Sequence, residues 1–214
     1  MSKEFDRIEE PPEINIQHPE APWRKGSYQH VDGEDYPNLT VEPPYVLQLK
    51  NNFPDEYLGF SGYRGDASVL LRKEKILEIL IFLRDTEGLE FNLLRDLFGV
   101  DNLKTPSRVE EFSKLGFKGN ARFEVIYSLY SLRYRQSVRL RVGITEKDCK
   151  IASSHKVFKC SNWHERETWD MYGIHFEGHP NQTRILNHAN FEGHPLRKDY
   201  PINRRHNIRK PVDI

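Results

Sequence analysis

Five histidines fall close together, His164, His175, His179, His188 and His194, and they raise the question of a metal first. Two imidazoles four residues apart on a helix can face one ion. The segment HERET fails that arrangement, because the fourth residue after His164 is Thr168. His175 and His179 have the spacing, but Gly178 and Pro180 deny them the helix. The pattern points instead to histidines that hydrogen-bond turn backbone or face solvent. Glu165 and Glu167 could be paired as general acid and base, yet residues two apart on a helix point about 200° apart. Dipole, capping and ion-pair roles suit them better. There is no G-x-S-x-G, no glycine-rich phosphate loop and no cysteine cluster. Cys149 and Cys160 match no zinc or redox spacing and fit a reducing compartment. Near the C-terminus, Arg204, Arg205, Arg209 and Lys210 face only Asp213. Such a run could grip RNA phosphates, but without an aromatic platform it is better suited to acidic protein surface.

These side chains need elements to hold them. The segment NWHERETWDMYG carries both ends of a helix: Asn162 to cap it, Glu165 to reach back to the first turn, and Gly173 to stop it. Arg166 and Asp170 have the spacing of an i, i+4 pair. Upstream, the apolar run 69–71 predicts a strand, and Ile76, Ile79, Leu80 and Leu83 predict a helix that Gly88 ends or interrupts. Phe91, Leu94, Leu97 and Phe98, before Gly99, predict a second, shorter helix. A polar stretch with Pro106 and Gly116 reads as a loop with a short helix over 108–115. Phe123, Val125, Tyr127 and Leu129 alternate with positions that are also apolar, as in a central strand covered on both faces. Val138, Leu140, Val142 and Ile144 alternate with Arg139 and Arg141, so that strand has one core face and one wet or partner-facing face. The two runs form an antiparallel hairpin. The whole is an α+β fold, two layers with helices packed on a small mixed or antiparallel sheet, rather than a doubly wound parallel sheet.

Both ends have a different texture. Residues 1–44 hold seven of the thirteen prolines, ten acidic and four basic side chains, so they cannot pack alone. Trp23, Tyr28, Tyr36 and the Pro43-Pro44-Tyr45 corner are the anchors of an extended arm, if it is not simply a tail. The domain proper is expected over 45–173. From 174 to 214, glycines and prolines forbid long elements, and a structureless stretch of that length belongs on the surface of something else. Phe-Glu-Gly-His-Pro occurs at 176–180 and again at 191–195, two similar sharp turns that put Phe on one side and His on the other. Basic and acidic residues balance at 32 each, which gives no global attraction to nucleic acid or anionic lipid. The run ILEILIFL is too short to cross a bilayer. The acidic start excludes a secretory signal or an Arg-rich transit peptide in the chain as it stands.

The stretch NWHERETWDMYGIHFEGHPNQTRIL, followed by FEGHPLRKDYP, resembles the 30-kilodalton subunit family of respiratory complex I, also called NADH dehydrogenase subunit 9 or NuoC. The first block is Glu165, Arg166, Glu167, Asp170, Met171, Tyr172, Gly173, Ile174, His179, Pro180, Arg184, Ile185 and Leu186. The second is Gly193, His194, Pro195, Leu196, Arg197, Lys198, Asp199, Tyr200 and Pro201. The likeness covers roughly 68–203, and it departs from the family pattern in IASSHKVFKCSNW before the helix. The resemblance implies an α+β domain whose C-terminal segment lies on neighbouring subunits, chiefly the 49-kilodalton quinone-site subunit and iron-sulfur subunits of the peripheral arm. Accessory subunits would meet the N-terminal arm. It implies a noncatalytic core subunit of NADH:ubiquinone oxidoreductase whose signature residues serve the subunit interface. It would have no catalytic residue, metal or cofactor of its own; FMN, iron-sulfur clusters and ubiquinone would sit on other subunits. The setting it implies is the matrix side of the mitochondrial inner membrane, or the cytoplasmic face of a bacterial one. Alternatives are the equivalent subunit of a hydrogenase or photosynthetic NDH complex, a His-dependent metal hydrolase, and an RNA-binding module.

Overall fold

The computed structural model describes residues 41–63 and 66–204. Trp23, Tyr28 and Tyr36 of the arm, and Arg205, Arg209 and Lys210 of the basic tail, lie outside the described residues. Proline opens the first helix, α1 (Pro44–Asn52), where its missing N–H costs nothing. Tyr45, Val46 and Leu49 face inward from it. The Pro44-Tyr45 corner thus belongs to the domain and not to the arm: Tyr45 is 5% exposed and donates its hydroxyl to the Ser137 carbonyl (3.2 Å).

A hairpin of β1 (Tyr57–Tyr63) and β2 (Asp66–Leu71) follows, then α2 (Ile76–Asp85), whose Ile76, Ile79, Leu80 and Leu83 are wholly buried as their spacing predicts. Next come β3 (Leu93–Asp101), α3 (Pro106–Lys114), β4 (Phe123–Ser131) and β5 (Gln136–Ile144). The five strands form one mixed sheet in the order β1-β2-β5-β4-β3, with β2 parallel to β5 and every other pair antiparallel. The main core lies on one face, where Val125, Tyr127, Leu129, Val138, Leu140 and Val142 meet α1 and α2. A smaller cluster of Leu70, Phe112 and Ala121 joins α3 to the other face. The architecture is α+β, as expected.

The segment expected as a short second helix is strand β3, paired with β4 from Leu93↔Tyr130 to Asp101↔Phe123. A bulge between Leu94 and Asp96 explains the misleading pattern. One extra residue shifts the pleat, so that Leu94 and Leu97, three apart as on a helix, both point inward. The wet face expected for β5 is also half corrected. Arg139 is exposed and pairs with Asp66, but Arg141 lies beneath α3, 8% exposed, bonded to Glu124 (2.8 Å) and Glu111 (2.9 Å).

After β5 the chain makes β6 (Lys150–Ala152), a 3-10 turn (Ser154–Lys156), α4 (Ser161–Tyr172) and β7 (His175–Glu177), which pairs in parallel with β6. Helix α4 packs along β3, the sheet edge. Gly99 makes that approach possible: a Cβ there would stand 2.8 Å from Tyr172 and 3.0 Å from Thr168. Among the described residues, no helix is long and apolar enough to cross a membrane.

Candidate functional site

Most of the chemistry-bearing residues gather around α4, held there by the chain that follows it. Glu165 does not reach back to the start of its own helix, and Asn162 is not the cap. Cys160 occupies that position without a side-chain capping bond, its thiol donating instead to the Leu94 carbonyl (3.8 Å). Glu165 is buried and accepts from Ser153 Oγ (2.6 Å), Ser154 Oγ (2.6 Å) and the Ser154 N–H (2.7 Å). It therefore caps the neighbouring 3-10 turn, using hydroxyls from the very segment that departs from the family pattern. Capping a different element satisfies more buried donors than the local bond would. Glu167 is exposed, so the two glutamates share no substrate space.

Arg166 and Asp170 do not pair either. Arg166 donates to the Thr183 carbonyl (3.0 Å), Thr183 Oγ1 (3.0 Å) and the Arg184 carbonyl (3.1 Å). Asp170 is buried and takes Arg184 Nη1 (2.5 Å), the N–H groups of Ile185, Leu186 and Asn187, and Asn187 Nδ2 (3.1 Å). Burial would raise its pKa, but these donors outweigh burial and hold the carboxyl down at about 2. The Arg184 guanidinium also lies over the rings of Trp169 and Phe191, 5.5 Å from each centroid.

The two Phe-Glu-Gly-His-Pro turns grip opposite ends of this helix. In the first, Gly178 takes φ 82° and Phe176 enters the core. His179 accepts the Asn181 N–H at Nδ1 (3.1 Å), which puts its proton on Nε2, and that atom donates to the Asn162 carbonyl (3.1 Å). In the second, Gly193 takes φ 89° and His194 donates from Nδ1 to the Asp170 carbonyl (3.0 Å). Burial lowers the pKa of His194 and favours the neutral ring. Both nitrogens of His179 and one of His194 are thus committed to hydrogen bonds. His188 packs edge-on to Phe191, and His164 sits 3.4 Å from Asp96.

A helix leaves its last carbonyls without intrahelical partners, and here the C-terminal segment supplies them. The Leu196 N–H donates to the Met171 carbonyl (3.1 Å), and Arg197 Nε to the Tyr172 carbonyl (2.6 Å). Cations at this end also suit the dipole. Gly173 ends the helix as expected, with φ 74°, and it leaves room for the cap: a Cβ there would lie 2.6 Å from His194 and 2.7 Å from Arg197. Ile174 is buried directly behind it. Beyond the cap, the Lys198 N–H donates to Asp101 Oδ2 (2.9 Å), and Asp199 meets Arg122 (2.8 Å). Arg122 also bonds Asp101 and Glu146, while Tyr200 stacks on Phe191. Residues 174–204, expected to lie on something else, run over the chain's own α4 and sheet. Sequence reading missed Ser153, Ser154, Asp101 and Arg122, which lie far along the chain from the residues they hold. Pro180 follows the His179 turn, while Leu186 and Leu196 keep their side chains 63% and 45% exposed and Trp163 is 67% exposed.

The model of the family "Respiratory-chain NADH dehydrogenase, 30 Kd subunit" matches residues 69–206. The chain belongs to this 30 Kd subunit family. It is 41% identical over 165 residues to the NuoC subunit of the NADH-quinone oxidoreductase of Roseiflexus castenholzii, covering 77% of this chain and 87% of that one. Against the NuoC subunit of Citrifermentans bemidjiense the identity is 40% over 157 residues, with 73% and 88% covered. A fused relative, the C/D polypeptide of the Yersinia pestis NADH-quinone oxidoreductase, is 39% identical over 163 residues that make up 26% of its length and 75% of this chain. Among solved structures, the trypsin-resistant fragment (1-134) of Nqo5 superposes with a TM-score of 0.52 at 28% identity, covering 64% of this chain and 96% of the fragment. A chain of an archaeal membrane-bound sulfane sulfur reductase shares the fold, with a TM-score of 0.55 at 17% identity, over 74% and 85% of the two chains.

Proposed function

We propose that this chain is a noncatalytic core subunit of the peripheral arm of NADH:ubiquinone oxidoreductase, needed to assemble the quinone-reducing module and to position it. The observation that carries this reading is the use made of the signature residues. Arg166, Asp170, Arg184, His194 and Arg197 spend their polar groups on fixing a C-terminal strap over α4. The strap then offers Leu186 and Leu196 as exposed apolar contacts, and α4 itself offers Trp163. The partner in this reading is the 49-kilodalton quinone-site subunit, with iron-sulfur subunits beside it. The fused C/D polypeptide of Yersinia supports such a neighbour, since it keeps a segment like this chain covalently attached to a second, longer portion. FMN, iron-sulfur clusters and ubiquinone belong to the other subunits. The site of action is the face of the membrane that carries the peripheral arm, the matrix side in a mitochondrion or the cytoplasmic side in a bacterium.

Its contribution is geometric. Electron transfer and quinone chemistry lose rate when their centres shift by about 1 Å, so a subunit that fixes its neighbours matters without touching an electron. The test is to purify the complex from mildly solubilised membranes carrying Arg166→Ala or Glu167→Ala. Less assembled complex, with unchanged NADH:quinone turnover per complex, is the expected result. Normal assembly with lost turnover would overturn the reading.

A further inference from the structure

The sheet face that carries α3 is covered only in part. The helix crosses it strand by strand: Arg108 stands 3.9 Å from Glu124 of β4, Glu111 bonds Arg141 of β5 (2.9 Å), and Phe112 packs with Leu70 of β2. Leu115, just past the helix, lies so close to β1 that a Cβ at Gly59 would stand 2.6 Å from it. Helix α3 thus holds the sheet with a carboxylate on a strand arginine and a ring on the apolar floor, and the Arg141 guanidinium lies 5.4 Å from the Phe112 ring centroid.

The next two rows of the same face have no such cover. Alternate strand residues share a face, and the register puts Asp96, Ser128 and Arg139 in one row and Leu93, Tyr130 and Ser137 in the other. All six are exposed or half-buried. Leu93 is 38% exposed, and Phe98, in the Arg141 row at the β3 edge, is 39% exposed. Rows lie about 7 Å apart and five strands span about 20 Å, so the open part seats one helix about 10 Å across and about 13 residues long beside α3. Its carboxylates already have neighbours: Asp66 pairs with Arg139 (2.9 Å), Glu90 with Arg133 (2.9 Å), and Asp96 has His164 at 3.4 Å. Arg95 lies over the Tyr130 ring, and Arg135 stands in the adjoining turn; among the described residues neither has an ion-pair partner. The unmatched charge is positive. On the reading that the chain is a subunit of the peripheral arm, we infer that an amphipathic helix of another subunit lies on these open rows beside α3, with a carboxylate on Arg95 and apolar side chains on Leu93, Tyr130 and Phe98. Such a helix repeats the chemistry with which α3 holds Arg141, and arginine and tyrosine are the residue types that gain most from being closed off from water at an interface.

Hydroxyl-radical footprinting with mass spectrometry, on the isolated chain and on the complex purified from mildly solubilised membranes, tests it. Labelling of Leu93 and Phe98 is expected to fall about fivefold or more on assembly, because the centre of an interface excludes water. Arg95→Glu should restore that labelling in the complex, and Arg95→Lys should keep it low. Ser128→p-benzoylphenylalanine should cross-link to a helix of another subunit, within one turn of an Asp or Glu. Protection of Leu186 and Leu196 with Leu93 and Phe98 left open would overturn this inference alone, whereas no protection at either surface would overturn the subunit reading with it. Low labelling already present in the isolated chain would also overturn it, giving the face to the chain itself or to a second copy. So would a cross-link to a loop, a strand or an uncharged helix.

Discussion

Asp170 shows how much one carboxylate can fix when its donors come from far along the chain. Its folded pKa, about 2, lies below the ordinary carboxylate value, so its stabilising contribution is complete above about pH 4 and is lost as the pH falls through about 2. The difference corresponds to roughly 2 kcal/mol for this buried group. Asp170→Asn is therefore expected to lower stability at pH 7 by about that much and to flatten the acid limb between about pH 4 and 2, as measured by urea denaturation across pH. Asp101 is held down too, its donors outweighing burial, so some acid dependence remains in that variant. The two glutamates of the helix separate at the same scale. Glu165→Ala leaves buried Ser153 and Ser154 donors without acceptors and is expected to cost roughly 3 kcal/mol, whereas the exposed Glu167→Ala should change stability by less than about 0.5 kcal/mol. Similar losses from both would mean that the burial of Glu165 is not what holds the turn.

Between elements, the decisive contact is α4 on β3. It relies on the absence of a side chain at Gly99, so Gly99→Ala should push Tyr172 and Thr168 aside and cost about 1–3 kcal/mol in thermal or chemical unfolding. An unchanged midpoint would show that the helix can slide without loss. Where sequence patterns failed between elements, the reason is also physical. The Leu94 and Leu97 spacing has a helical period, and the bulge that makes the same spacing fit a strand depends on pairing with β4. The Arg166 and Asp170 spacing is that of a surface ion pair, but each has better-satisfied partners in 183–187. By contrast, the helix at 76–85 and the β4–β5 hairpin were legible because their periodic apolar faces meet the core directly.

For the molecule as a whole, the sheet and the strap form one body. The amides of Leu196 and Lys198 are bonded to the Met171 carbonyl and to Asp101. They are expected to exchange with solvent as slowly as those of α4 in the isolated chain, measured by hydrogen exchange. Exchange at the rate of an open chain would mean that the strap forms only on a partner. The sequence by itself determined the α+β class, the core faces of α2 and β5, the glycine stop of α4 and the family, since each rests on local period, turn chemistry or an ordered run of residue types. Only the tertiary structure decided what the signature residues do: that Glu165 caps a neighbouring turn, that the histidines of the two repeated turns grip both ends of α4, and that the C-terminal segment caps that helix. Those outcomes depend on which buried donor finds which acceptor across gaps of up to about a hundred residues, and no local pattern encodes that choice.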